Sequence, residues 1–452
     1  MGVKELIQKY SKPGPRYTSY PTAPHWSDGV GREAYREALA LAGTRSEPFS
    51  LYVHIPFCES LCYYCGCNTQ ISSDHSRAKA YVERIGKELQ QTSQLISTRK
   101  KINQISWGGG TPNFLSVEEM KALFGAISSV FSVEANSEIS VEVNPRLVTF
   151  AQLDCLRSLG FNRISLGVQD LNAKVQETVH RGQNCDMTEN VLSKCRELGF
   201  EGINFDIIYG LPFQTIESFA QTVEQVLTMR PDRIALYNYA HLPSQIPHQR
   251  ILDPFPRPNA EQRVTIFLNA YQSFLKSGYV NIGMDHFALP TDELSRALSN
   301  KTLYRDFMGY TVRKGTDLLA VGASAVSEWD CSYFQNLRKA NEYEQSVDNS
   351  GLATFRGCRI TDEDRRRKWV IQHVMCEGLV SFVQYANSFQ SSFEGDFSSE
   401  LPLLEPFFDE HILERTSAGF EVTSMGRLFI RNVAMVFDAY LKRAEKIYSQ
   451  TV

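Results

Sequence analysis

Between residues 50 and 238 two hydrophobic textures alternate along the chain. Six short runs rich in β-branched and aliphatic residues, at 50–55, 102–107, 138–143, 163–167, 202–208 and 233–238, predict strands. Between them, apolar residues recur every three or four positions. Ser116-Val-Glu-Glu119 reads as a capping box, followed by Met120, Leu123, Phe124, Ile127 and Phe131 on one helical face. Thr149-Phe-Ala-Gln152 opens another helix, with Leu153, Leu156 and Leu159 inward. Thr215 and Ser218 offer start signals before Phe219, Val223, Val226 and Leu227, and Pro231 ends that helix. Strands alternating with helices imply a parallel sheet with right-handed crossovers. Six units in a row favour a barrel or partial barrel over a doubly wound sheet, though periodicity alone leaves both open.

The flanks have different textures. Within residues 1–48, Lys12-Pro-Gly-Pro-Arg-Tyr-Thr-Ser-Tyr-Pro-Thr-Ala-Pro24 is too dense in proline and glycine for regular structure. It predicts an extended arm, followed by a short helix over 32–42. From about Thr361 the pattern changes again: a charged helix over 362–378, an irregular stretch over 382–393, a short strand at 419–423 and a long amphipathic helix over 426–447. The expected divisions are therefore 1–48, 49–360 and 361–452, within the range for a chain of 452 residues.

Composition narrows the function. Hydrophobic residues make up 42% and charged residues 22%, as in ordinary globular proteins. A net charge of −4 argues against a general nucleic-acid binder. No run of about 18 apolar residues predicts a membrane span, and Met1–Tyr10 lacks the pattern of a secretory signal. A cytoplasmic location is expected. The ten cysteines are not the dense framework of a small secreted fold. Cys155, Cys185, Cys195, Cys331, Cys358 and Cys376 are scattered and read as small core residues.

The other four carry the strongest chemical signal, in Cys58-Glu-Ser-Leu-Cys62-Tyr-Tyr-Cys65-Gly-Cys67. Three thiolates on one short loop suit an iron–sulfur cluster with one iron left open for a ligand. The bland alternative is a structural zinc held by all four, although zinc ribbons split their ligands into distant pairs. Cys67 reads either as a fourth ligand or as a free functional thiol. The loop follows the first strand directly, and parallel α/β folds build sites at the carboxyl ends of strands. The other strand ends carry Gly108-Gly-Gly-Thr-Pro112, Glu142 with Asn144, Gly167-Val-Gln-Asp170, Asp206 with Tyr209-Gly-Leu-Pro212, and Tyr239-Ala-His241. One site built from all six strands accounts for this clustering. Glycines let a backbone approach a ligand closely, and a carboxylate such as Glu142 or Asp206 on an apolar strand needs a partner. By themselves, His180 and Arg181 read as ordinary helix-end residues, and His241 and His286 as core histidines.

Together these residues resemble the radical S-adenosylmethionine superfamily: the three-cysteine loop has an aromatic residue before its third cysteine, and Gly108-Gly-Gly-Thr-Pro112 follows. Arg16-Tyr-Thr-Ser-Tyr-Pro-Thr-Ala23, Tyr52-Val-His-Ile-Pro-Phe-Cys58, Gly167-Val-Gln-Asp170, Asp206-Ile-Ile-Tyr-Gly-Leu-Pro212, Asn238-Tyr-Ala-His-Leu-Pro243 and Gly283-Met-Asp-His-Phe-Ala288 narrow the resemblance to the oxygen-independent coproporphyrinogen III oxidases. The resemblance runs from the arm to Gly426-Arg-Leu-Phe-Ile-Arg431. It implies an α/β fold, a (βα)6 partial TIM-like barrel with an N-terminal extended arm and a mostly helical C-terminal domain. It also implies a [4Fe-4S] cluster on Cys58, Cys62 and Cys65, and two molecules of S-adenosylmethionine. Tyr52, Gly109, Glu142 and Val326 would contact one molecule, and Tyr64, Gly110, Thr111, Gln169, Arg181, Asp206 and Ala240 the other.

The implied reaction converts two propionates of coproporphyrinogen III to vinyl groups, giving protoporphyrinogen IX for heme. It needs an electron donor and a terminal acceptor. Cys67 would serve turnover rather than cluster assembly. Arg16 and Arg305 are candidates for the substrate carboxylates, the arm closing over the macrocycle. A monomer without nucleic-acid or membrane partners is expected. The chain departs from the family pattern at Asn144 (aspartate is frequent there), Gly182 (acidic), Tyr304 (histidine) and Val326 (isoleucine). The rival within the superfamily is a heme chaperone or heme-modifying relative, and both Cys67 and the arm argue against it.

Overall fold

All six predicted strands are present in the computed structural model, which describes residues 2–313, 317–329, 332–441, 448 and 450–451. They are β1 (Phe49–Ile55), β2 (Lys101–Gly109), β3 (Ser132–Val143), β4 (Arg163–Gln169), β5 (Gly202–Tyr209) and β6 (Arg233–Asn238). Each pairs in parallel with its predecessor in the chain. Helices make the crossovers: α1 (Ser76–Leu95), α2 (Val117–Val130), α3 (Phe150–Ser158), α4 (Ala173–Thr178), α5 (Cys185–Glu197) and α6 (Ile216–Met229). This is the strand order of an open (βα)6 partial barrel. The expected caps form: Ser116 Oγ accepts from Glu119 N at 3.2 Å, Glu119 returns a carboxylate to Ser116 N at 2.8 Å, and Thr149 and Thr215 are paired likewise.

The burial pattern of these strands positions the site. Parallel strands covered on both faces read as continuous hydrophobic runs. Here they alternate. Ile164, Leu166 and Val168 of β4 and Ile203, Phe205 and Ile207 of β5 are buried. The opposite face carries Ser165, Gly167 and Gln169, then Asn204, Asp206 and Ile208, all partly accessible. A polar face on a parallel sheet marks the lining of a cavity.

Ten strands of the large sheet lie in the larger compact unit, Ser27–Ser273 with Thr316–Arg359. Beyond the predicted six, β7 (Leu318–Val321) lies parallel on the free side of β1, with Tyr52 opposite Ala320. Then β8 (Val326–Trp329), β9 (Ser332–Asn336) and β10 (Thr354–Arg359) extend the sheet antiparallel.

The other unit comprises Met1–Trp26, Phe274–Gly315 and Ile360–Val452. It is mostly helical, with a three-stranded antiparallel sheet of Leu379–Ser381, Gly419–Val422 and Leu413–Thr416. Tyr385, Phe393, Phe397, Phe420 and Phe437 pack ring on ring in its core. Three local expectations differ from the structure. Val3–Tyr10, ahead of the irregular arm, is a helix whose buried side is Leu6, Ile7 and Tyr10. Phe382–Phe389 is helical rather than irregular, capped by Ser381. The helix expected over 426–447 is a 3₁₀ turn, Gly426–Phe429, and a short helix, Ile430–Val436. It stops where Asp438 turns its carboxylate onto Tyr440 N (2.9 Å) and takes the Tyr17 hydroxyl (3.0 Å). Residues 442–447 of that expectation, and Cys331, lie outside the described residues.

Candidate active site

A cleft of about 470 Å3 opens at the carboxyl ends of β1–β6. Its rim is the cysteine loop. Cys58, Cys62 and Cys65 are partly buried, Cys67 is exposed, and all described cysteines are free. The loop is pinned at several points. Tyr63 N donates to Val179 O (3.0 Å), and the Tyr63 ring stacks on His180 at 5.0 Å. Arg146 donates to Ser60 Oγ (2.8 Å), Gln249 Nε2 to Tyr64 O (2.9 Å), and His248 Nε2 lies 2.8 Å from Cys65 O. The sulfurs differ in their surroundings. Burial pushes the Cys58 thiol up to about 11, against a hydrogen bond with Thr111. Hydrogen bonding from Cys67 brings Cys65 down to about 7 and holds Cys67 well above the usual thiol range. Cys65 is thus the easier of the first two to deprotonate, while Cys67 keeps its proton.

Behind the loop, the glycine triplet is dictated by packing as well as by access. A Cβ on Gly108 would stand 2.8 Å from the Glu142 carboxylate, one on Gly109 2.7 Å from the His54 ring, and one on Gly110 2.5 Å from Pro56 O. Gly109 also holds a φ of +119°, which L side chains rarely adopt. Its N–H donates to Glu142 Oε2 at 3.0 Å. Burial, then the nearby Asp206, pushes Glu142 up to about 7. Asp206 is held by Ser165 Oγ (3.0 Å) and Asn204 Nδ2 (2.8 Å). His54 Nε2 lies 3.0 Å from Asn68 O, which can only accept, so that nitrogen carries the proton and Nδ1 accepts from the Tyr52 hydroxyl at 3.2 Å. Burial pushes His54 down to about 4, so its ring is neutral.

The far wall is built by β4 and the turn after α4. Gln169 stands at φ +67° and His180 at +59°, both in the left-handed region. The chain is held there by the buried Asp170, which takes Thr222 Oγ1 (2.7 Å), Gln214 Nε2 (2.5 Å) and Asn172 N (2.7 Å). Gln176 also donates to Val168 O (3.1 Å) and Asp170 O. Gln169 and Arg181 therefore face the cleft from a fixed backbone.

The residues singled out in the sequence divide as follows. Cys58, Cys62, Cys65, Cys67, Tyr64, Gly109, Gly110, Thr111, Glu142, Gln169, Arg181, Asp206 and Ala240 line this one cleft. Tyr52 lies behind it on His54, and Val326 begins β8 opposite Gln335. Arg16 and Arg305 belong to the other unit. There Arg16 Nη2 donates to both carboxylate oxygens of Asp285 at 2.8 Å, and Arg305 Nε donates to Arg16 O at 3.3 Å. His54, Gln249 and His248 also build the site but had been given no role. His54 carries a signal, since it is the one imidazole on a mostly apolar strand. The other two, some 180 positions from the loop they hold, carry none.

Cys58, Cys62 and Cys65 are soft donors facing one cleft from a single loop, the kind iron–sulfur clusters take. Among the described residues, no three His, Cys, Asp or Glu side chains converge on a single metal-ion position. By donor type and by their place on one loop the thiols fit an iron–sulfur cluster, beside the glycines and carboxylates that line the same cleft.

Residues 52–226 match the radical SAM superfamily, and fold and site together define a radical S-adenosylmethionine enzyme. The oxygen-independent coproporphyrinogen III oxidase of Escherichia coli K12 is 41% identical over 442 residues, 98% of this chain and 96% of that protein. The Pseudomonas aeruginosa enzyme of the same name is 39% identical over 439 residues, 97% of this chain and 95% of that one. The solved coproporphyrinogen III oxidase of Escherichia coli, described as a radical SAM enzyme, superposes with a TM-score of 0.91 at 40% identity, covering 94% of this chain and 98% of that one. The chain belongs to the oxygen-independent coproporphyrinogen III oxidase family.

Proposed function

We propose that the protein converts two propionate side chains of coproporphyrinogen III to vinyl groups without oxygen, giving protoporphyrinogen IX for heme synthesis. The observation that carries this reading is the convergence of the Cys58, Cys62 and Cys65 thiols, the Arg181 guanidinium and the Glu142 and Asp206 carboxylates in a single cleft of a chain that matches these oxidases over nearly its whole length. Cys58, Cys62 and Cys65 would hold the [4Fe-4S] cluster, leaving the glycines and carboxylates of the same cleft to take S-adenosylmethionine. When bound, these groups supply one electron to the sulfonium and so a 5′-deoxyadenosyl radical, which starts the reaction at a propionate β-carbon.

The chain's own residues do the rest. The Gly108–Gly110 backbone allows close approach of an amino acid moiety. Glu142, near half-ionised at neutral pH, and Asp206, fixed by Ser165 and Asn204, accept from hydroxyl or ammonium groups. Tyr64, Thr111, Gln169, Arg181 and Ala240 bound the space for a second S-adenosylmethionine, with Tyr52 and Val326 supporting the first. Cys67 is exposed and its thiol is held well above the usual range, so it serves turnover without competing as a cluster ligand. Arg16 and Arg305 supply cationic groups for the substrate carboxylates.

An electron donor is required to reduce the cluster, and a terminal acceptor to take the electron that each decarboxylation releases. We place the enzyme in the cytoplasm as a monomer, without nucleic-acid or membrane partners. In support, no helix among the described residues is long and apolar enough to cross a membrane, and the net charge is −4.

Anaerobic reconstitution with iron and sulfide, reduction, and addition of S-adenosylmethionine with coproporphyrinogen III tests the proposal. The expected products are 5′-deoxyadenosine and protoporphyrinogen IX. Cys62→Ser should lose the cluster absorbance, whereas Cys67→Ser should keep it and lose turnover. Nucleoside formed without decarboxylated product from the parent protein would refute the reaction while keeping the radical chemistry.

A further inference from the structure

Arg181 is only 7% exposed, and its guanidinium keeps its charge at any physiological pH. A buried cation needs a counter-charge. Its Nε donates to Gln183 Oε1 at 3.2 Å. Nη2 reaches Gly167 O (2.5 Å) and Asn144 Oδ1 (3.4 Å), and Nη1 reaches the Tyr64 hydroxyl (3.2 Å) and Cys62 Sγ (3.7 Å). Every oxygen in that set is neutral. Among these acceptors, only the Cys62 sulfur can carry the answering negative charge.

The contact is also rigid. Arg181 N donates to Gln176 O (2.9 Å), and the turn before it is joined to the cysteine loop through Val179 O and the stacked His180 ring. Tyr64, the second group on Cys62, is tied to the same guanidinium.

We propose that Arg181 tunes the cluster electrostatically, by holding its positive charge against the sulfur of Cys62 and so raising the cluster's reduction potential. This rests on the cluster reading above. Reduction adds one electron to the cluster, and the added negative charge spreads onto the ligand sulfurs. A fixed N–H donor and a fixed cation beside one of those sulfurs stabilise the reduced form over the oxidised one. The burial of the Arg181 guanidinium leaves the effect less screened than it would be in water. Asn144 belongs to the same device. Its neutral amide occupies the other Nη without cancelling the charge, whereas a carboxylate of the same shape would.

The test is a redox titration of the reduced cluster's EPR signal, without S-adenosylmethionine, in the anaerobically reconstituted full-length protein. Arg181→Gln should load a full cluster at a more negative midpoint than the parent. Arg181→Lys, which keeps charge but not the planar fork, should fall between them. Asn144→Asp, nearly isosteric, should also move the midpoint down. Arg181→Gln with a full cluster and the parent's midpoint would overturn the proposal. If Arg181→Gln fails to load, Asn144→Asp decides, and an unchanged midpoint there overturns it equally. A parent protein that takes up no cluster would instead sink the site reading, and this inference with it.

Discussion

Glu88 is a buried carboxylate far from the cysteines, and replacing it with glutamine should change how stability depends on pH. It sits on α1, 1% exposed, and three donors converge on it: Gly322 N (2.9 Å), Tyr343 Oη (2.7 Å) and Asn336 Nδ2 (2.7 Å). Two turns earlier on the same face, Tyr81 donates to His54 O (2.9 Å) and accepts from Ala323 N (2.8 Å). These two side chains bind the 322–325 turn, which leads into Val326, to the strand that carries Tyr52 and His54. Burial pushes Glu88 up from 4.5 to about 7, against the pull of its three hydrogen bonds.

A carboxyl raised in the folded state holds its proton longer there than in the unfolded chain, so stability is full below pH 4.5 and falls as pH rises towards 7. The whole interval is worth about 3 kcal/mol, of which about 2.5 kcal/mol falls between pH 5 and pH 8. Glu88→Gln removes that slope. It also turns an NH2 onto the donors where the protonated carboxyl turns its O–H, a change among neutral groups worth about 0.5–1.5 kcal/mol. At pH 5 the variant should therefore be less stable than the parent by about 1 kcal/mol. By pH 8 the two should have converged or crossed. Urea denaturation of the cluster-free, reduced protein at pH 5, 6, 7 and 8 measures this, with other titrating groups cancelling in the difference. Parallel lines, with a gap constant to about 0.5 kcal/mol, would refute the assignment of the slope to Glu88.

Two further substitutions test packing and charge. Gly110→Ala puts a Cβ within 2.5–2.9 Å of backbone atoms of Pro56 and Phe57, so strands must shift. A loss of at least about 2 kcal/mol and of S-adenosylmethionine binding by calorimetry is expected. Gly182→Ala meets open space and costs only the strain of its φ of +61°, about 1 kcal/mol, with binding retained; equal damage at both positions would contradict the packing explanation. Arg16→Ala leaves Asp285 without the guanidinium that donates to both its oxygens. Burial pushes that carboxyl up, yet the Arg16 guanidinium and His286 together hold it well below the usual carboxylate range. Its contribution is present above about pH 4 and fades as the carboxyl protonates. The variant should lose about 2 kcal/mol at pH 7, with the gap closing in acid denaturation curves below pH 4.

What was legible in this chain, and what was not, follows the distance over which each contact acts. Capping boxes at Ser116, Thr149 and Thr215 are written within four residues, and they formed as read. The cysteines share one loop, so their spacing constrains chemistry before any fold is known. The alternation of Ile164, Leu166 and Val168 with Ser165, Gly167 and Gln169 was visible too; on a parallel strand it is the signature of a polar cavity. By contrast, Glu88 and Glu83 lie on the same helix and look alike in sequence, yet Glu83 is exposed and Glu88 buried. What separates them is Gly322, Asn336 and Tyr343, more than 230 residues away.

The Gly426 helix stops short because Tyr17, over 400 residues earlier, meets Asp438. Arg181 shows both sides at once. Its place after a glycine-flanked turn looked like an ordinary helix end, and the resemblance alone lifted it into the site. The setting of its buried charge emerges only when the folded chain brings Asn144, Tyr64 and Cys62 around it, from positions 37 to 119 residues away. Short-range pattern thus specifies which groups can do chemistry. The electrostatic setting that tunes them is assembled by contacts no local pattern encodes, and for that reason the proposed control of the cluster must be tested at Arg181 and Asn144 as well as at the cysteines.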